Sequence, residues 1–185
     1  MASLKPSPRP GSDVILVTKK IAAVSQLETA IELWFRRGDP ISIHALATAA
    51  HDCFAVMASN IGKPSRYQTW LRSMPETFQA RAVYFQNFIK HGCKDPNDEV
   101  PYSAVHGEAL MVFSALCYQE VFGALTARMH LFLLRFYVEH PDFISADERG
   151  SLAELLDIQH ASKIEREAFL DDFLPLTARA FGEAT

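Results

Sequence analysis

The feature that most constrains the fold of this 185-residue chain is a three-to-four-residue hydrophobic period that recurs between turn signals. Ile21, Val24, Leu27, Ile31 and Trp34 step along one helical face, and Arg36-Arg37-Gly38 supplies a stop. Asp39-Pro40 opens the next helix, with aspartate at the N-cap and proline at the first helical position. That second helix runs to about residue 60 and is rich in alanine, which permits close approach of a neighbour. Gly62-Lys63-Pro64 breaks the pattern, and 65–72 reads as a short helix holding Tyr67 and Trp70. Ser73 with Glu76 fits a capping box starting a helix with Phe78, Ala82, Phe85 and Ile89 on one face, ending at His91.

Residues 104–122 are apolar almost all round and predict the most buried helix. Gly123 separates it from a helix over 125–140, which Pro141 stops. Ser151 with Glu154 fits another capping box, opening a more charged helix that runs through Lys163 and Glu165 to Phe173, before Pro175. No alternating run reads as a strand and there is no internal repeat. The expectation is an all-α bundle of about five to seven helices. Residues 1–13, with three prolines and no apolar core, read as a disordered tail, and 14–185 as a single helical domain.

Composition narrows the function classes. Hydrophobic residues make up 49% and charged residues 22%, as in ordinary globular proteins. A net charge of −4 argues against broad affinity for nucleic acid or anionic membrane, while leaving room for a local basic patch. The three cysteines, Cys53, Cys93 and Cys117, are widely spaced and read as reduced thiols. No uninterrupted apolar run nears the roughly 18 residues that span a bilayer, so no membrane partner is expected and the cytoplasm is the expected location.

Asn87 and His91, four residues apart, lie on one face near a helix end, beside rather than within the aromatic stripe. An imidazole can act as a base near neutral pH and an amide can fix a phosphate or hydroxyl, so the pair could form a small polar site with Gln86. A cation near the last carbonyls with Gly92 beyond also describes an ordinary helix terminus. His44, Thr48 and His51 form a second constellation. Seven residues separate the imidazoles, about 10 Å along the axis, so they can line one groove but do not readily chelate one metal. HExxH spacing is absent, and Asp157 with His160 is the nearest carboxylate–histidine pair; no metal or cofactor is expected. Glu108, near the start of the buried helix, needs a histidine or arginine from another helix unless it sits at the bundle's edge.

Two resemblances bear on these residues. The blocks LETAIELWF, DPISIHALATAAH and NFIKH resemble those of a family of small bacterial proteins that brings no assigned activity, over roughly residues 20–140. A bundle with Asn-x-x-x-His near a helix end is similar to the HEPN superfamily, whose members often dimerise and carry an Arg-Asn-x-x-x-His motif. That resemblance implies, in active members, metal-independent RNA cleavage at a site shared across the dimer. Its asparagine falls on Asn87 and its histidine on His91. Its arginine position holds Gln86, which lacks the charge that would stabilise a scissile phosphate. Arg81 lies ten residues from His91, about 15 Å along the axis, and could substitute from the other protomer or by reaching around the helix. Three functional readings stay open: an RNA- or nucleotide-binding dimer using Asn87 and His91, with His44, His51, Gln86 and Arg81 as binding residues; a non-enzymatic interaction or assembly module that pairs with a partner protein; and a small-molecule or metal sensor lined by His44, His51 and His91.

Overall fold

The computed structural model describes residues 15–63, 65–90, 97, 99–143 and 158–182, with the side chains of 90, 158 and 159 excepted. His91, Cys93, Gly92, residues 1–14 and the Ser151–Glu154 capping box lie outside the described residues. The protein is all-α. Helices α1 (Lys19–Phe35), α2 (Pro40–Asn60), α3 (Arg66–Ser73), α4 (Glu76–Lys90), α5 (Ala104–Phe122), α6 (Ala127–Glu139) and α7 (Arg166–Phe181) follow in order, with a 3-10 turn at Pro141–Phe143 and a single α turn at Ile158–Ala161.

Local chemistry sets most boundaries. Thr18 caps α1 by accepting from the Ile21 N–H, and Asp39 caps α2 by accepting from Ser42 with Pro40 at the first position. Gly123 ends α5 in the left-handed region at φ 85°. At the end of α1 the left-handed residue is Arg37, at φ 53°, rather than Gly38. Gly38 is required for space instead: a Cβ there would lie 3.0 Å from Leu33 Cδ2 and 3.2 Å from the Leu33 carbonyl oxygen.

Two expected boundaries are corrected. Ser73 does not cap α4; it is the last residue of α3, and its hydroxyl donates back to the Trp70 carbonyl at 2.6 Å. The α3–α4 corner is instead braced by the Gln79 side-chain amide, which donates to the Met74 carbonyl at 2.8 Å. The C-terminal segment is not one helix ending before Pro175. It breaks at residues 162–165, and α7 then continues through Pro175 to Phe181. Proline removes one backbone donor. Burial of Phe169, Leu170 and Ala178 on both sides of it keeps the helix together.

α2 packs antiparallel to α1 and lies between α1 and α5; α6 and α7 pack together on the α1 side, and α3 and α4 cover the opposite side. Fully buried Ala47, Ala50 and Ala58 let the neighbours of α2 approach closely. α5 approaches α2 closely at Gly107, where a Cβ would lie 3.4 Å from His44 Cα. By length and composition α2 could cross a membrane, but in this fold it is the central core helix, with eight buried residues. Phe35, Phe54, Phe132, Phe136 and Phe169 are the largest fully buried side chains. Burying each contributes about 1.5–3 kcal/mol against chain entropy.

Charges join α7 to the bundle. Arg36 reaches Glu32 at 2.6 Å, Glu167 at 2.6 Å and Asp171 at 3.1 Å, and Arg37 pairs with Glu165. These pairs are exposed and screened. The less exposed counterpart is half-buried Glu139, which accepts from Arg135 Nε at 2.7 Å and from Arg166 Nε at 3.0 Å. Arg135, 5% exposed, also donates to the Ala161 carbonyl at 2.5 Å.

Candidate functional site

The sequence-selected residues separate into an exposed set and a buried set. On α4, Arg81 and Asn87 are exposed and Gln86 is half-buried. His91, the partner expected for Asn87, lies outside the described residues. On α2, His44 and His51 are buried. The His44 ring stands edge-to-face with Phe85 at 4.9 Å and with Tyr102 at 5.6 Å. His51 packs on Tyr67 at 5.0 Å and has Nε2 3.3 Å from the Ser65 hydroxyl. The two imidazoles therefore meet different elements. His44 joins α2 to the second half of α4, because Phe85 precedes Gln86 and Asn87 directly. His51 joins α2 to the start of α3. Among the described residues no group of three or more His, Cys, Asp or Glu side chains is placed to hold a metal.

Polar groups converge nearby, at the bundle end where α1 turns into α2. A cleft of about 210 Å³ is lined by Trp34, Arg37, Gly38, Pro40, Ile43, Tyr102, Ala104, Glu108 and Arg166. Each wall has an identifiable cause. Trp34 is in the last turn of α1, held edge-on between Phe35 and Phe132 at 5.0 Å each. Its indole Nε1 donates to Glu108 Oε1 at 2.8 Å. The Arg166 guanidinium stands 3.7 Å from the centre of the Trp34 ring while its Nε bonds Glu139, so the arginine is stacked and oriented at once. Glu108 Oε1 is 3.6 Å from Arg166 and Oε2 is 3.6 Å from His140 Nε2. The sequence requirement that Glu108 find an arginine or histidine from another helix is thus met by both, together with an indole N–H.

Tyr102 closes the cleft toward α4. Its ring stacks on Phe85 at 4.3 Å and its hydroxyl donates to the Pro40 carbonyl at 3.1 Å. Burial, with the Glu108 and Asp39 carboxylates adding to it, pushes the phenol up to about 12, so it stays a neutral donor. Burial draws the Glu139 carboxyl upward, but the hydrogen bonds and charges of Arg166 and Arg135 outweigh it and hold the group below its ordinary value. Arg37 forms the rim in a left-handed conformation that costs a non-glycine residue energy and is concentrated at functional positions.

The cleft thus offers one carboxylate acceptor, one oriented guanidinium, one neutral phenol and aromatic walls. Such a set fixes a small ligand carrying both hydrogen-bond donors and an anionic group. Of these residues only Glu108 stood out in the sequence. Trp34 has the spacing of a core residue, Arg166 that of a solvated helix face, and Tyr102 falls in a polar connection. Their pairing spans 74 residues between Trp34 and Glu108, so no local spacing signals it. Comparison with family models, with curated proteins and with solved structures finds no match to this chain.

Proposed function

We propose that the protein is a helical binding module whose cleft between Trp34, Tyr102, Glu108 and Arg166 takes a nucleotide, free or at the end of an RNA. The observation carrying this reading is the convergence of the Glu108 carboxylate and the stacked Arg166 guanidinium on a cleft of about 210 Å³. A carboxylate accepts from the N–H edge of a base and a guanidinium favours a phosphate. Phe85 stacked on Tyr102 ties the cleft to the α4 segment that carries Gln86 and exposed Asn87, which would meet the rest of the ligand. Isothermal titration with purine and pyrimidine nucleotides and with short RNAs tests it. Saturable binding that weakens about 10- to 100-fold in Glu108→Ala is expected, the value of a hydrogen bond to a charged group. No saturation by any of these ligands, or equal affinity in a folded Glu108→Ala protein, would overturn it.

A second reading, self-assembly, is favoured by the opposite end of the bundle. Ile15, Leu16, Val17 and Ile21 are more than half exposed, as are Val56 and Ile61 where α2 ends beside the start of α1. Ile21 also lines an open groove of about 520 Å³ with Lys20, Val24, Glu28, Tyr118 and Arg128. Clustered exposed aliphatics mark contact surfaces, and a second copy of this chain would cover them. Light scattering should then give twice the monomer mass of 20.7 kDa, reverting to one mass in Ile21→Glu; a monomeric wild type sinks the assembly reading.

A further inference from the structure

Five of the seven buried polar residues among the described ones gather on one side of α2. His44, Thr48 and His51 on α2, Ser65 at the start of α3, and His106 on α5 all lie on the side that α3 and α4 cover. Each of the three imidazoles meets one aromatic ring from the covering helices: His51 meets Tyr67 at 5.0 Å, His106 meets Phe78 at 4.5 Å and His44 meets Phe85 at 4.9 Å. Nδ1 of His51, Nδ1 of His106 and the Thr48 hydroxyl are buried without a hydrogen-bond partner among the described residues.

The cover itself is thinly attached. α3 has no buried residue, and α4 buries only Ala82 and Phe85 among its described side chains. Apart from these ring contacts, among the described residues α3 is fastened by the Arg66–Glu120 pair at 2.5 Å, by the Ser65–His51 contact, by Tyr67 and Trp70 against Phe113, and by Trp70 against Phe143. Gly62, at φ 75°, precedes it and provides a backbone conformation that suits a pivot. Segments with little burial open at lower free energy than the core they lie on.

We propose that α3 and α4 together form a flap that is closed over the neutral imidazoles of His51 and His106 and released when those two take up protons. A buried imidazolium in apolar surroundings is costly unless paired, so protonation favours the state in which water reaches the ring. The facing groups supply little compensation. From α2, Asp52 acts on His51 and pulls its affinity for protons upward, yet burial dominates and holds His51 down to about 4. From α3 come only the Ser65 hydroxyl and the Tyr67 phenol, which burial and Asp52 push up to about 12 and keep neutral. α4 presents the apolar Phe78 and Phe85. Burial also lowers His106 on α5. The Glu108 and Asp39 carboxylates act on Tyr102.

Because the closed-state value of His51 lies below its ordinary 6.5, the closed flap is fully favoured above that pH and loses ground as the pH falls toward about 4. Between about pH 7 and pH 5, His51 alone shifts the opening equilibrium roughly 20-fold toward the open state, and His106 shifts it further in the same direction.

Hydrogen exchange of the full chain, read by mass spectrometry and corrected for the chemical rate at each pH, tests this. Peptides covering residues 65–90 are expected to lose at least 10-fold in protection at about pH 5 while peptides from α1 and α6 hold theirs. His51→Phe keeps a ring against Tyr67 and has no proton to take up, so it should leave only the smaller response of His106. Should that variant not fold, His51→Gln, which is polar and likewise takes up no proton, offers the same comparison. Loss of protection in all helices together, no loss above about pH 4, or an undiminished response in the folded variant would each overturn the flap.

Discussion

Glu139→Ala is expected to lower the free energy of unfolding by about 3 kcal/mol, because it strands the charge of buried Arg135 without its half-buried carboxylate partner. The carboxylate serves two arginines at once, accepting from Arg135 Nε at 2.7 Å and from Arg166 Nε at 3.0 Å. Without it Arg135, 5% exposed, keeps only the Ala161 carbonyl as a hydrogen-bond partner among the described residues, and its charge stays beneath the Phe169 ring. Urea denaturation measures the loss as a lower midpoint at unchanged slope. Adding Arg135→Met to Glu139→Ala removes the stranded charge at similar volume and should recover much of the loss. A single-variant effect below about 1 kcal/mol would show that the network contributes no more than an exposed pair. The wild type has a matching acid limb. Its Glu139 carboxyl is held below the ordinary 4.5, so the stabilisation is complete above that value and is lost as pH falls through the lower, folded one.

Trp34→Ala should be of comparable size, about 3–5 kcal/mol, through the cavity that a large buried ring leaves. The ring is 2% exposed, stands edge-on to both Phe35 and Phe132, and supports the Arg166 guanidinium on its face. Trp34→Phe separates packing from polarity. It retains most of the ring but leaves Glu108 without its 2.8 Å indole donor, a loss of about 1.5–3 kcal/mol for a bond to a charged group. Chemical denaturation of both variants decides the matter. If Trp34→Phe is as stable as wild type, the indole N–H contributes nothing and Trp34 is a packing residue alone.

Where the chain's own neighbours determine structure, the sequence was readable. Asp39-Pro40 and Gly123 act through groups three or four residues away, and they bound α2 and α5 as their chemistry requires. Ser73 and Pro175 show where that logic stops. A capping box competes with a hydroxyl bond to the preceding turn, and a proline competes with core contacts on both sides of it; tertiary packing decides each contest. The site was less legible for the same reason. Histidines at seven-residue spacing suggest a shared groove, but the flanking aromatics that claim His44 and His51 come from different helices. Arg166 joins the cleft only because Trp34 and Glu139 hold it there, and Trp34 precedes it by more than a hundred residues.

The two tryptophans report on different parts of the molecule. Trp34 is sealed in the core between phenylalanines, with a guanidinium on its face, whereas Trp70 is half-buried in α3 beside Phe113 and Phe143. Intrinsic fluorescence is therefore the sum of two emitters, one in the packed interior and one on its thinly held cover. A shift in that emission is not by itself a measure of unfolding. Resolving it into its two sources, by single Trp→Phe replacements, gives separate readings of interior and cover from the same unlabelled protein.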